Sequence, residues 1–471
     1  MSADLAFQPI TALAAALKQK TLSPVELTRA FLARIEKHNP RLNAFMTVTA
    51  EQALRDAAEA EREIAAGRHR GPLHGIPFSL KDLFATQGIR TTASSRILAN
   101  WVPAADATVV ARLRQAGAVI LGKTHMHEFA YGVTNESVHY GPARNPWDPE
   151  RIPGGSSGGS AASVAAGLCA GTLGTDTGGS IRIPSGLCGL VGLKPTYGRV
   201  SRHGVVPLCW SLDHVGPLAR TAADAALILQ AIAGHDPKDP ASAREPVPDY
   251  GAGLAQGVKG LSLGVPREFY FDRLDPEVRA AVEGAMKALE GLGARLVPVT
   301  LPHSRHVPGI AFGIQAPEAF AYHEKTFRTR AAEYGPDVRA RIEAGRYIPA
   351  ASYLKAQRAR RLVMEDFRQA FQTVQALLTP TFPIAAPPIG ASTIPMEGKA
   401  IDVRGALTRF ARAFNVSGIP AATVPCGFTA AGLPIGLQVA GPSFGEATVL
   451  RVAHAYEQSG GWASRHPSFF T

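Results

Sequence analysis

The chain has 471 residues, of which 46% are hydrophobic and 18% are charged, and these proportions exclude a disordered or fibrous protein. Its formal net charge of +11 is compatible with nucleic-acid binding, with an acidic partner or with solubility alone. No run approaches the ~18 consecutive apolar residues of a membrane helix, and the N-terminus carries Asp4 without the basic segment of a signal peptide, so we expect a cytoplasmic protein with no membrane contact.

Helical and strand patterns alternate along the first quarter of the chain. Ser23-Pro24-Val25-Glu26 is a capping box with proline at the first helical position, which predicts the start of a helix. A short apolar run bounded by glycine and proline is typical of a strand that enters a core. On this basis we predict helices at 24–38, 50–66 and 109–117 and strands at 75–80 and 118–121. The alternation favours an α/β fold in which helices cover both faces of a sheet.

The segment 154–192 has an unusual composition of glycine, serine and alanine, and its charged residues are Asp176 and Arg182. A flexible linker has a similar composition. The small-apolar run 161–173, however, is suited to a helix that packs closely against its neighbours. We therefore predict a buried loop–helix–loop in this segment.

Further elements are predicted after residue 230, and neither an internal repeat nor an interdomain linker is visible. The predicted elements are a surface loop at 236–250, a strand at 261–265, a helix at 276–292, a proline-rich covering segment at 380–395, a strand at 432–441 and a helix at 446–458. We expect one domain spanning residues 1–471 rather than the three that a length of roughly 150 residues per domain suggests.

The distribution of basic residues and cysteines bears on partners and compartment. The largest excess of positive charge lies between Lys325 and Arg361, spaced through a helical pattern with few aromatic residues, which favours a solvated helix face over an RNA-binding surface. The cysteines show neither CxxC spacing nor a pairing pattern, which indicates reduced thiols inside a cell. They are Cys169, Cys188, Cys209 and Cys426.

Lys81 is a candidate general base because its sequence neighbours are apolar. They are Phe78, Leu80, Leu83 and Phe84. Loss of solvation disfavours the ammonium form and lowers the pKa of a lysine, and a neutral lysine accepts protons. The alternative is a structural lysine at a strand end, paired with a carboxylate such as Asp82.

Two glycine-rich segments contain candidate serines. In Gly154-Gly-Ser156-Ser-Gly-Gly-Ser160 the glycines permit backbone conformations closed to other residues, although a polar turn that caps a helix has the same composition. In Asp176-Thr-Gly-Gly-Ser180-Ile-Arg182 successive amides are placed to form an oxyanion hole, with Ser180 as the nucleophile at its rim. Asp176 and Arg182 are expected to hold this loop by an ion pair.

Taken together, these segments resemble the signature of the amidase signature family. The resemblance includes the separations of 24 residues between Ser156 and Ser180 and of 99 between Lys81 and Ser180, and it continues through Cys188-Gly-Leu-Val-Gly-Leu-Lys-Pro-Thr-Tyr-Gly-Arg199 and Ser211-Leu-Asp-His-Val-Gly-Pro217. It extends to 432–438 and is weaker between about 240 and 400. The chain is thus similar to the family over most of its length.

The resemblance implies a three-layer α/β/α fold with a large mixed central sheet. It implies a signature core at about 65–220 and a variable, substrate-shaping region at about 300–410. It makes Lys81 the general base, Ser156 the bridging serine after a cis peptide bond, and Ser180 the nucleophile that forms an acyl-enzyme. The implied oxyanion hole consists of the amides of Thr177, Gly178, Gly179 and Ser180. Neither a metal nor a cofactor is expected.

Two unrelated interpretations of the glycine-rich segment fail on sequence. Gly154-x-Ser156-x-Gly158 also fits the nucleophile elbow of α/β-hydrolases, but that elbow follows directly on a strand, and 145–153 has no strand pattern. A phosphate-binding loop requires GxxxxGK[ST] or GxGxxG, and neither motif occurs there.

The resemblance implies hydrolysis of an amide, a carbamate or a related urea. We expect Met126, Phe129, Tyr131 and Ser157 to contact the substrate, together with further apolar candidates: Phe312, Ile314, Tyr322, Phe382 and Phe410. Such a lining favours an apolar or aryl amide or carbamate. The expected partner is therefore this small molecule, without nucleic acid, and the chain is a possible homodimer.

The alternative within the family is the A subunit of the tRNA-dependent glutamine amidotransferase, which hydrolyses glutamine and passes ammonia to a partner subunit. Two differences from the sequence of that protein argue against it. The stretch 407–414 has no acidic residue, whereas the A subunit carries an aspartate there that recognises the glutamine amino group. The segment 346–354 is also shorter and poorer in tyrosine than its counterpart.

Overall fold

The computed structural model describes residues 3–470; residues 1, 2 and 471 of the predicted domain lie outside the described part. The strands are β1 (Phe45–Val48), β2 (Pro77–Lys81), β3 (Val119–Thr124), β4 (Glu136–Ser137), β5 (Gly141–Pro142), β6 (Gly171–Asp176), β7 (Val191–Lys194), β8 (His214–Ala219), β9 (Ser262–Val265), β10 (Arg295–Pro298), β11 (Ala376–Pro380), β12 (Thr393–Met396), β13 (Lys399–Asp402), β14 (Ala421–Phe428) and β15 (Pro434–Ala440).

The helices are α1 (Ile10–Lys18), α2 (Pro24–Leu42), α3 (Ala50–Ala65), α4 (Thr108–Gln115), α5 (Gly158–Ala165), α6 (Arg182–Leu187), α7 (Ala222–Ile232), α8 (Arg267–Tyr270), α9 (Pro276–Gly291), α10 (Val307–Arg330), α11 (Pro336–Arg346), α12 (Ala350–Ala370), α13 (Val403–Thr408), α14 (Arg412–Ser417) and α15 (Glu446–Gly460). Within residues 3–470, none of these helices has the length and apolarity needed to cross a membrane.

Eleven strands form one mixed central sheet in the order β1-β3-β2-β6-β8-β7-β14-β15-β11-β9-β10. The pairs β3–β2, β2–β6, β11–β9 and β9–β10 are parallel, and the other pairs are antiparallel. The predicted α/β fold with a large mixed sheet and helices on both faces is confirmed. The small sheets β4–β5 and β12–β13 are hairpins outside it.

Two neighbouring parallel strands place the signature segments at one edge of the sheet. β2 ends at Lys81 and β6 ends at Asp176, and parallel neighbours present their carboxyl ends on the same side. The loop 177–181 leaves β6 at this edge. Helix α5 packs against β2 and β6 and brings the preceding loop, with Ser156, to the same place.

The prediction of a helix over 161–173 is wrong in its second half. Helix α5 ends at Ala165, Gly167 adopts a left-handed φ of 66°, and β6 begins at Gly171. Each side of β6 is paired, with β2 and with β8, so tertiary pairing overrides the local preference of these small residues. A composition of small apolar residues does not distinguish a buried strand from a buried helix.

The small residues of α5 are needed because the helix lies very close to the sheet. A Cβ atom at Gly159 would lie 2.5 Å from the carbonyl oxygen of His125 and 2.6 Å from that of Ala44. Both contacts are with backbone, which has little room to move. The glycines of this segment therefore permit the approach of α5 that positions the loop before it.

Candidate active site

Lys81 lies at the carboxyl end of β2 and is completely buried. Its Nζ atom lies 2.8 Å from Ser156 Oγ and 2.8 Å from Thr175 Oγ1. It forms no ion pair with the neighbouring Asp82, whose carboxylate accepts a hydrogen bond from the Thr92 amide and lies 3.7 Å from Lys123 Nζ. The structural alternative for Lys81, a strand-end lysine paired with Asp82, is therefore wrong.

The environment of Lys81 shifts its proton equilibrium toward the neutral amine. Burial disfavours the ammonium form and lowers the pKa of Lys81 to about 7, while the carboxylates of Asp176 and Asp213 act in the opposite direction. At neutral pH a substantial fraction of the amine is therefore free to accept a proton, as a general base requires.

Ser156 follows a cis peptide bond from Gly155, and its side chain is completely buried. The Ser156 carbonyl accepts a hydrogen bond from the His127 amide at 3.1 Å. The adjacent Ser157 hydroxyl donates to the Thr175 carbonyl at 3.2 Å. These contacts hold the loop against β6, so that the Ser156 hydroxyl faces Lys81.

The loop after β6 is held by a buried carboxylate. Asp176 forms the expected ion pair with Arg182 at 2.9 Å, and both side chains are completely buried. It also accepts hydrogen bonds from the amides of Gly179 at 2.8 Å and Ile181 at 3.1 Å, and from Asn415 Nδ2 at 2.8 Å. Although burial alone raises the pKa of Asp176, the Arg182 guanidinium holds it below its usual range, so the carboxylate stays charged and the loop stays fixed.

Some backbone amides of the predicted oxyanion hole have no acceptor among the described residues. The Gly179 amide donates to Asp176 Oδ1 at 2.8 Å, and its role in the oxyanion hole stays a prediction. Within residues 3–470, the amides of Thr177, Gly178 and Ser180 donate to no backbone or side-chain acceptor. Backbone amides without a protein acceptor beside a candidate nucleophile are available to bind an anionic oxygen.

Ser180 lies at the rim of this loop and is 5% exposed. In the part of the chain that the structure describes, its hydroxyl has no hydrogen-bond partner. Thr177 is anchored beside it, because its hydroxyl donates to Asp213 at 2.6 Å. Asp213 is itself held by the amides of Leu208 and Cys209 at 2.9 and 3.0 Å.

The residues predicted to contact substrate lie in different surroundings. Met126 is completely buried, and the Phe129 ring packs at 4.4 Å against His323. Tyr131 is buried, and the Arg404 guanidinium lies 5.7 Å from the centre of its ring. Phe312 and Tyr322 are 49% and 42% exposed, whereas the remaining apolar candidates are buried: Ile314, Phe382 and Phe410.

Sequence reasoning did not identify Thr175, Asp213 or Arg412 as site residues. Thr175 carried no motif of its own, and Asp213 stood inside the quoted 211–217 motif without a role. Arg412 lies next to Gly178: a Cβ atom built on Gly178 would lie 3.4 Å from Arg412 Cγ and 3.5 Å from Nε. The only sequence signal for it was a basic residue in a segment of apolar residues.

A cavity of about 340 Å³ is lined in part by Arg412. Its walls come mainly from α13, α14, the β12–β13 hairpin and the proline-rich segment at 380–395. The lining residues are Arg273, Pro308, Pro383, Met396, Ile401, Asp402, Gly405, Ala406, Thr408, Arg409 and Arg412. The variable region therefore supplies most of the cavity.

Known proteins match this chain over almost its whole length. The family model described as Amidase matches residues 26–450. The A subunit of glutamyl-tRNA(Gln) amidotransferase from Geobacter metallireducens is 49% identical, with 95% of this chain and 96% of the relative covered. The solved structure of the same type of protein from Thermotoga maritima is 36% identical with a TM-score of 0.81, covering 97% of this chain and 96% of that one.

A second solved structure comes from a vestigial protein complex that concerns the evolutionary origins of an s-triazine catabolic enzyme. It is 36% identical to this chain with a TM-score of 0.92 and covers 96% of this chain and 99% of that one. A similar backbone thus occurs in proteins whose described roles differ, and overall fold does not distinguish among them.

These relatives correct two expectations. The preference for an apolar or aryl amide or carbamate is wrong, because relatives that are 49% and 46% identical over almost the whole chain are A subunits of glutamyl-tRNA(Gln) amidotransferase. The expectation of a small-molecule partner without nucleic acid is contradicted by the same relatives. The error arose because the substrate class was inferred from apolar residues whose contact with a substrate stays a prediction. The chain belongs to the amidase family, the amidase signature enzymes, and is an enzyme that cleaves an amide C–N bond.

Proposed function

We propose that this chain is the glutamine-hydrolysing A subunit of a tRNA-dependent amidotransferase. The observation that carries this proposal is the 49% identity to such a protein over 95% of the chain. In this role the enzyme hydrolyses the side-chain amide of glutamine to glutamate. The ammonia passes to a partner subunit that works on glutamyl-tRNA(Gln).

We propose that Lys81, Ser156 and Ser180 carry out the proton transfers and the nucleophilic attack. Neutral Lys81 accepts a proton from Ser156, which accepts one from Ser180, and Ser180 Oγ attacks the amide carbon. The 2.8 Å contact between Lys81 and Ser156 supports the first transfer. The second requires the two serines to approach when substrate binds, since catalytic hydrogen bonds often form only in the complex.

The collapse of the tetrahedral intermediate breaks the C–N bond. The leaving nitrogen takes a proton from Ser156 and departs as ammonia, which leaves an ester on Ser180. Water then attacks this ester by the same relay and releases the acid. The amides of Thr177, Gly178 and Ser180 stabilise the oxyanion, and loss of one such donor costs ~3–4 kcal/mol in comparable enzymes.

Two features of the surface fit a component of a larger assembly. The net charge of +11 suits a chain that works beside a polyanion such as tRNA. The outer side of helices α10 and α12 exposes apolar side chains at Phe312 and Leu354, which are 49% and 60% exposed. Exposed apolar groups of this kind are typical of a surface that contacts another protein.

The proposal is tested by measuring ammonia release from glutamine with the purified chain, alone and together with the other subunits of the assembly. We expect hydrolysis that increases when those subunits are present and that is absent in Ser180→Ala. The absence of glutamine hydrolysis under both conditions, in a preparation whose Ser180 still reacts with a serine-directed sulfonyl fluoride, would refute the proposal.

A further inference from the structure

Arg412 is a charged side chain without a protein partner beside the candidate active site. It begins helix α14 and forms no ion pair with the residues described, and its Nε atom is buried without a hydrogen-bond acceptor. Arg412 as a whole is half-buried, and partial burial of a charge without a partner is unfavourable. An anionic ligand in the adjoining cavity would supply the missing partner.

Arg412 lies close to the loop that carries the proposed oxyanion donors. Its side chain lies against Gly178, with the Cγ and Nε atoms 3.4 and 3.5 Å from the position of a Cβ on that glycine. The Gly178 amide is one of the unpaired donors at the oxyanion loop. An anion bound by Arg412 would therefore lie near the loop that carries the proposed oxyanion donors.

A second unpaired cation lies close to Arg412. Arg404 is half-buried and contacts the face of Tyr131, with 5.7 Å from its guanidinium carbon to the ring centre. Arg341 approaches the same tyrosine but is paired with Asp337 at 2.9 Å. Burial, together with the charges of Arg341 and Arg412, lowers the pKa of Arg404 to about 10. Within the described residues, the positive charges of Arg404 and Arg412 are thus not neutralised by ion pairs.

The acidic group nearest to this pair is already engaged. Asp402 lines the cavity, but its carboxylate caps helix α13 by accepting a hydrogen bond from the Gly405 amide. The neighbouring Thr408 is neutral and hydrogen-bonds the Arg404 carbonyl at 2.9 Å. Arg273, Arg409 and Arg412 also line the cavity, so its lining carries more positive than negative charge and favours an anionic substrate group over a cationic one.

We propose that Arg412, supported by Arg404, binds a carboxylate on the acyl part of the substrate, so that the enzyme selects monoamides of short dicarboxylic acids. This inference deepens the proposed function, on which it rests, because glutamine is one such amide. Guanidinium and carboxylate form paired hydrogen bonds of matching geometry. Glutaramate, which is glutamine without its amino group, keeps the carboxylate and lacks the positive charge that the arginines repel, so it should react at least as well as glutamine.

The experiment compares kcat/KM for glutaramate, glutamine and the neutral butyramide in the wild-type chain and in R412Q, R412K and R358Q. Arg358 is exposed on α12, so R358Q removes the same charge without altering the cavity. We expect R412Q to lose about 10- to 100-fold on both carboxylate-bearing amides, the effect of a lost hydrogen bond to a charged group. Butyramide should change less than about threefold, and R412K should recover part of the loss.

Protection of Ser180 from a sulfonyl fluoride by glutarate provides a readout that does not depend on turnover. The glutarate concentration for half protection should rise at least about tenfold in R412Q and remain unchanged in R358Q. An equal loss on all three amides would assign Arg412 to support of the oxyanion loop, and no loss on any would exclude it from substrate binding; either result overturns the inference.

The wild-type chain alone keeps the inference testable if R412Q does not fold. A preference of less than threefold for glutaramate over butyramide would then overturn it. Failure of the proposed function is distinguishable, because a chain that hydrolyses glutaramate through Arg412 and leaves glutamine intact refutes the glutaminase role while it supports the carboxylate site.

Discussion

The pH dependence of Ser180 reactivity tests the proposed role of Lys81 most directly. Burial lowers the pKa of Lys81 to about 7, and the neutral amine is the form that accepts a proton. With that pKa, the neutral fraction is about 9% at pH 6 and about 91% at pH 8. The rate constant of serine modification should therefore rise about tenfold between pH 6 and 8 and change by only about a tenth from pH 8 to 10.

An ordinary, solvated lysine predicts a different curve. With a pKa of about 10.4 the neutral fraction rises about 100-fold from pH 6 to 8 and about 70-fold more by pH 10. The nearby His214 does not imitate the expected step, because burial lowers its pKa well below the usual range and it stays neutral throughout. The shape of the curve thus reports the burial of Lys81.

The assay is inactivation by phenylmethanesulfonyl fluoride, a neutral reagent without a group that titrates in this range. Activity is sampled over time at each pH and corrected for hydrolysis of the reagent. Ser180→Ala serves as the control for modification elsewhere, and Lys81→Met should react slowly and without a step near pH 7. A flat profile from pH 6 to 10, or a rate that keeps rising to pH 10, would refute the reasoning.

Three further substitutions test the roles of individual side chains. Ser180→Ala should abolish both ammonia release and covalent labelling detected by mass spectrometry, and an adduct found on Ser156 instead would contradict the assignment. Thr175→Val removes an acceptor that stabilises the Lys81 ammonium, so the step in the labelling profile should move about one pH unit lower; an unchanged midpoint would exclude that contact. Asp176→Asn leaves the buried Arg182 without its counter-charge. The free energy of unfolding, measured in urea, should fall by about 3–5 kcal/mol, and kcat should fall at least about 100-fold. A stable, active variant would show that the ion pair does not hold the loop.

The sequence alone was sufficient for the fold class and for the set of candidate catalytic residues. Alternation of helical and strand patterns indicated a sheet covered by helices, and the spacing of Lys81, Ser156 and Ser180 indicated the family. These features are readable because they depend on order along the chain. A strand end, a glycine-rich turn and the loop that follows a strand keep their separations as long as the topology is the same.

Other features depend on contacts between residues far apart in the chain, and the sequence did not reveal them. Local composition predicted a helix over 161–173, but pairing of β6 with strands on both sides decided its second half. The sequence left open whether Lys81 pairs with Asp82, and the burial of β2 beside Ser156 and Thr175 decided against it.

The substrate pocket is the clearest example of a feature that the sequence did not reveal. The apolar residues assigned to it from sequence stay predictions, whereas Arg412, which the sequence did not single out, approaches Gly178 from a helix 234 positions further along the chain. Which side chains share a cavity is a property of tertiary packing, since it depends on how separate elements meet. The sequence thus determined which candidate catalytic residues stand at the carboxyl ends of β2 and β6, and the tertiary structure alone decided which charged side chains lie beside them.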